Sequence, residues 1–80
     1  MGKDITCTIE KELAVLSTND HGYTKELNMV SWNGAEAKLD IRQWWPGREK
    51  SGKGVTLTEE EGRNLRDALV AFFAGKEGTQ

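Results

Sequence analysis

Two adjacent tryptophans, Trp44 and Trp45, stand in a stretch that also carries Lys38, Arg42, Arg48, Lys50 and Lys53, with only Asp40 and Glu49 opposing them between positions 37 and 57. An aromatic face stacks a nucleobase, and an ammonium or guanidinium beside it neutralises the adjoining phosphate. Aromatics interleaved with basic residues are therefore the pattern of a surface for single-stranded nucleic acid. The same residues fit a second arrangement, in which one tryptophan closes the end of a core and the basic side chains protect a strand edge. The net charge of -2 is opposite in sign to the usual footprint of a nucleic-acid binder. The acids, however, gather at Glu59, Glu60 and Glu61 and in the N-terminal segment, leaving the central stretch locally basic.

Other chemistries find little support. A single cysteine, Cys7, and a single histidine, His21, provide neither a disulfide framework nor a zinc ligand set. The two lie on opposite sides of a turn-rich segment, so no nucleophile and base are paired, and no enzymatic activity, metal or cofactor is expected. Gly47 to Gly54, GREKSGKG, is one residue short of a phosphate-binding P-loop: Gly54 replaces the metal-binding hydroxyl, and a strand pattern follows where the motif opens a helix. No apolar run reaches the roughly 18 residues of a membrane span, and the N-terminus lacks the order of a signal peptide. A cytoplasmic protein is expected.

The elements that must position the tryptophans follow from periodicity. Eighty residues make one small domain, with an ordered core expected over about 5–74. Residues 5–17 alternate and then turn densely apolar, a long strand with a bend near Glu10 to Glu12. A turn at 17–22 leads to a strand over 23–32, with Leu27 and Met29 on one face and Asn28, Val30 and Trp32 on the other. Asn33-Gly34 signals a tight hairpin into a third strand over 36–45. There Ala37, Leu39 and Ile41 face a core, while Lys38, Asp40, Arg42 and Trp44 face away as a working surface. Trp45 falls on the core parity, but Pro46 ends the ladder and frees it to turn outward. A short strand over 53–58 precedes a helix capped by Thr58 and Glu61 and closed near Gly75. Leu65, Leu69, Phe72 and Phe73 give that helix an apolar stripe, which suits either the sheet of its own chain or the matching helix of a second copy. The expected class is α+β: a four-stranded curved antiparallel sheet followed by one helix.

KLDIRQWW (Lys38 to Trp45), a short basic loop, KGVTLT (Lys53 to Thr58) and EEEGRNLRDAL (Glu59 to Leu69) resemble the single-stranded DNA-binding domain of the transcriptional positive coactivator family, positive cofactor four. KELNMVSWNGAEAKLDIRQWW (Lys25 to Trp45) is similar to the bacterial YdbC branch of it. The resemblance implies a β-β-β-β-α protomer that dimerises through its helix and holds single-stranded DNA, with RNA as a second ligand and the transcription machinery as a further partner. By position, Arg42 and Trp45 match the family's DNA-contacting strand arginine and strand-end tryptophan, and Lys53 its basic residue at the K-G turn. Trp32 lies near the aromatic that ends the preceding strand. Strand parity and charge add Lys25, Lys38, Trp44, Arg48 and Lys50. A module that docks a peptide or a transcription component on the sheet is the alternative of a different class.

Overall fold

The computed structural model describes residues 6–77. Four strands and a helix follow one another as β1 (Cys7–Thr18), β2 (Thr24–Trp32), β3 (Lys38–Trp44), β4 (Ser51–Leu57) and α1 (Glu59–Glu77). The strands form one open antiparallel sheet in sequence order, so β1 and β4 are its edges. Both the class and the order agree with the expectation from the sequence. Ile5, expected to begin the first strand, lies outside the described residues.

Asn33 and Gly34 adopt φ of 53° and 79°, the two positive angles that a tight hairpin turn demands and that asparagine and glycine tolerate best. The Asn33 side chain also accepts the Thr6 backbone N–H at 2.9 Å, so the same turn residue pins the start of β1 to the end of β2. At the helix start the Thr58 hydroxyl accepts the Glu61 N–H at 3.0 Å and the Glu61 carboxylate accepts the Thr58 N–H at 2.8 Å, a reciprocal capping box. The helix continues past Gly75 to Glu77 rather than closing there.

Pairing register divides the sheet into two faces. Thr24 opposite Trp44, Glu26 opposite Arg42, Asn28 opposite Asp40 and Val30 opposite Lys38 share one face; Leu27 opposite Ile41 and Met29 opposite Leu39 share the other. The second face meets the helix, whose first turn rests on Leu39 at Gly62. Leu27, Leu39, Ile41 and Leu57 form an apolar groove with Leu65 and Leu69 there. The helix makes its main contacts with the sheet along β3 and β4. Its stripe stays largely exposed at Leu65, Leu69, Val70, Phe72 and Phe73. A radius of gyration of 15.0 Å, against roughly 12 Å for a compact chain of this length, expresses the same openness.

The first face is the better buried one, although α1 does not cover it. Glu26, Asn28, Val30, Asp40 and Trp44 are all buried there. Three register shifts in β1, between Ile9 and Lys11, Glu12 and Ala14, and Val15 and Ser17, supply its curvature, since each bulge bends and twists the strand that carries it. One bend near Glu10 to Glu12 was expected. The Arg42 guanidinium lies 4.6 Å from the Trp32 ring, although Arg42 pairs with Glu26, six positions from Trp32 along β2. Six residues of strand span roughly 20 Å when flat, so the sheet must curl around this face for the two side chains to meet.

Candidate nucleic-acid interface

On the curled inner face two arginine–carboxylate clusters hold the strands in place. Asp40 is 0% exposed, and its two oxygens accept Arg42 Nε and Nη2 at 2.7 and 2.8 Å, a bidentate fork; Thr56 Oγ1 donates to Asp40 Oδ2 at 3.1 Å. Arg42 Nη1 reaches across to the Gly52 carbonyl at 3.0 Å. Gly54 is the residue of β4 opposite Arg42, and a Cβ there would collide with the Arg42 Cβ and backbone, so glycine is required for this crossing. With its plane over Trp32 and a side chain only 14% exposed, Arg42 is a fixed and partly sheltered cation rather than a free one.

The second cluster centres on Glu26. It accepts Thr24 Oγ1 at 2.7 Å, Asn28 Nδ2 at 3.1 Å, and Nε and Nη2 of Arg48 at 3.1 and 2.9 Å. Arg48 arrives from the short turn Pro46–Arg48 with φ of 57°, an unusual angle for a residue with a side chain, and its Nη1 also donates to Glu12 at 2.9 Å. The carboxylates of Glu12 and Glu26 hold Arg48 above its usual pKa range.

The two tryptophans part company. Trp44 ends β3 at 3% exposure, against the expectation that it would stand on an exposed working surface. Its parity was read correctly, but the face it shares is the one around which the sheet curls. Trp44 therefore lies beneath a groove bordered by Thr6, Cys7, Arg48 and Lys50. Cys7, expected in the core, is half-buried in that groove. The indole N–H groups of Trp32 and Trp44 are both buried without an acceptor among the described residues. Trp45 leaves the ladder at Pro46 and is 37% exposed. Its backbone N–H donates to the Lys50 carbonyl at 2.9 Å, closing the turn. Tyr23 lies 5.5 Å from its ring at a 55° tilt, and the Lys50 ammonium sits 4.9 Å over it.

The remaining basic residues are exposed but not contiguous. Lys38 is on the inner face at the far end of β3, whereas Lys25 is on the helix side of the sheet. Lys53 is exposed in the irregular stretch between the Arg42–Gly54 and Trp44–Ser51 pairs. The structure thus brings Trp45, Lys50 and Arg48 together at one end of the sheet, joins Trp32 to Arg42, and leaves Lys25 apart. Tyr23 was missed in the sequence because it reads as the first residue of a strand; its position one residue outside β2, across from a tryptophan freed by proline, was the available signal. Among the described residues no group of three His, Cys, Asp or Glu is placed to hold a metal, and no helix is long and apolar enough to cross a membrane.

The molecule is thus a curled open sheet with one C-terminal helix that carries aromatic and basic side chains at one end. The family model described as Transcriptional Coactivator p15 (PC4) matches residues 19–68, and the chain belongs to that family. A relative from Treponema pallidum (strain Nichols), described as an uncharacterized protein, is 46% identical over 66 residues, covering 82% of this chain and 78% of its own length.

Glu26 makes this face sensitive to acid. Burial alone raises its pKa, but the hydrogen bonds from Thr24, Asn28 and Arg48 and the Arg48 charge together outweigh burial, leaving it below the ordinary 4.5. A carboxyl whose pKa is lower in the folded than in the unfolded chain contributes stability above its unfolded value, and that contribution disappears as pH falls through the folded value. Glu26→Gln is expected to be less stable than the wild type at neutral pH. Its stability should also decline less on acidification below 4.5, as read by urea denaturation across a pH series.

Proposed function

We propose that this chain binds single-stranded DNA, with RNA as a second ligand, and with little sequence preference. Bases stack on Trp45 and Tyr23, while Lys50, Lys53, Lys38 and the outer edge of Arg42 meet phosphates. The observation that carries the reading is the exposed Trp45 ring, tilted against Tyr23 and topped by Lys50 at the rim of a curled sheet. Base–aromatic stacking tolerates any base, because every base has a π-face. Membership of the coactivator family supports the same ligand, and the similarity of the run from Lys25 to Trp45 supports placement in its YdbC-like branch. The role is one of binding without catalysis, in transcription or DNA maintenance, in the cytoplasm.

Titration of oligothymidylate by tryptophan fluorescence at several salt concentrations tests the reading. Log affinity should fall with log salt by about 0.7 per phosphate contacted. Trp45→Ala should weaken binding by about 1–3 kcal/mol with the fold retained. Emission that is indifferent to oligonucleotide would instead favour a surface for a peptide.

The same reading makes the protein a homodimer through α1. The half-covered apolar groove of Leu27, Leu39, Ile41 and Leu57 and the exposed stripe of Leu65, Leu69, Phe72 and Phe73 are continuous, and a second copy presents a matching stripe. Light scattering at micromolar concentration should give twice the chain mass, and Leu69→Lys should reduce it to one.

A further inference from the structure

Arg48 faces two carboxylates of different standing. Glu26 is buried and tied by Thr24 and Asn28 as well as by Arg48, so its place is fixed. Glu12, on β1, has a side chain 67% exposed, and its bond to Arg48 Nη1 is the only hydrogen bond its side chain makes among the described residues. Two grooves of the inner face meet at this guanidinium. One of about 300 Å³ is shared with Trp45 and Thr24, and one of about 600 Å³ is shared with Lys50 and Ser51. Arg48 therefore lies beside the platform that Trp45 and Lys50 form, and its Nη1 turns to the Glu12 carboxylate in an adjoining groove of about 210 Å³.

A phosphodiester carries one negative charge and paired acceptor oxygens, as a carboxylate does. Exchanging one for the other at Arg48 leaves the guanidinium paired with two anions, while the displaced Glu12 carboxylate turns out to solvent. The displaced Glu12 loses only a solvent-exposed pair, an interaction too weak to hold against a tethered phosphate. Glu26, still bound on the other side, keeps the guanidinium fixed during the exchange. We propose that Arg48 is a phosphate subsite of the single-strand interface and that Glu12 holds it closed in the free protein. The interface would then engage fully only with a chain already anchored at Trp45 and Lys50. Free phosphate, lacking that anchor, would not open it. The inference rests on the single-strand reading above.

Oligothymidylate affinity of wild type, Glu12→Gln, Arg48→Gln and the double variant tests it, with circular dichroism confirming the fold of each. Glu12→Thr serves as a second replacement suited to a strand. Opening the subsite should tighten binding by about three- to fivefold, the scale of one exposed ion pair, and the gain should vanish when Arg48 is replaced. An unchanged affinity in both Glu12 variants overturns the proposal while leaving the single-strand reading intact. An equal gain with and without Arg48 also overturns it, because Glu12 would then act only as a repelling charge. The Arg48 Nε–H resonance of the wild type, which needs no variant, should shift on adding oligothymidylate and stay still with inorganic phosphate; no shift with either overturns the subsite. Absence of any oligonucleotide binding by the wild type overturns the proposal together with the reading beneath it.

Discussion

A carboxylate withdrawn entirely from water is tolerated only beside a cation that meets both of its oxygens, and Asp40 is such a group. Its bidentate bond to Arg42 fixes more than one pair. It sets Arg42 over Trp32, draws Thr56 of β4 toward β3, and leaves Arg42 Nη1 to hold the Gly52 carbonyl. Removing either partner would strand a buried charge, so the geometry of the inner face depends on both. The Glu26–Arg48 pair repeats the device at the other end, where it anchors the turn that exposes Trp45.

One helix cannot cover two faces of a sheet. Here the curling of the sheet shelters the inner face, whose own long side chains fold over it, and the helix half-covers the other. The polar face is therefore tied across its strands by hydrogen bonds, and the apolar face is the one left short of partners. In the proposed single-strand binding, an inner face already tied by hydrogen bonds, with an aromatic platform at its rim, would lower the ordering cost of holding a flexible strand.

Much of this was legible in residue patterns. The alternation in β2 and β3 assigned Leu27, Met29, Leu39 and Ile41 to one face and Asn28, Val30, Asp40 and Arg42 to the other. Asn33-Gly34 fixed the hairpin, Thr58 and Glu61 fixed the helix start, and Pro46 marked where Trp45 leaves the ladder. What escaped was everything that depends on curvature. Parity tells which side Trp44 takes, but only the bulges of β1 decide that this side closes. Arg42 and Arg48 read as free cations because their carboxylate partners are two residues away in one case and 22 and 36 away in the other. The helix passed Gly75 because a glycine permits a stop without imposing one.

Amide and indole NMR spectra of the labelled protein, recorded as oligothymidylate is added, would test most directly the claim that the inner face and its rim hold the strand. The account predicts shifts at Tyr23, the Trp45 indole, Lys50 and the strands around Arg42, with Leu65, Leu69 and Phe72 unmoved. Shifts confined to the helix stripe, with Trp45 unchanged, would contradict it.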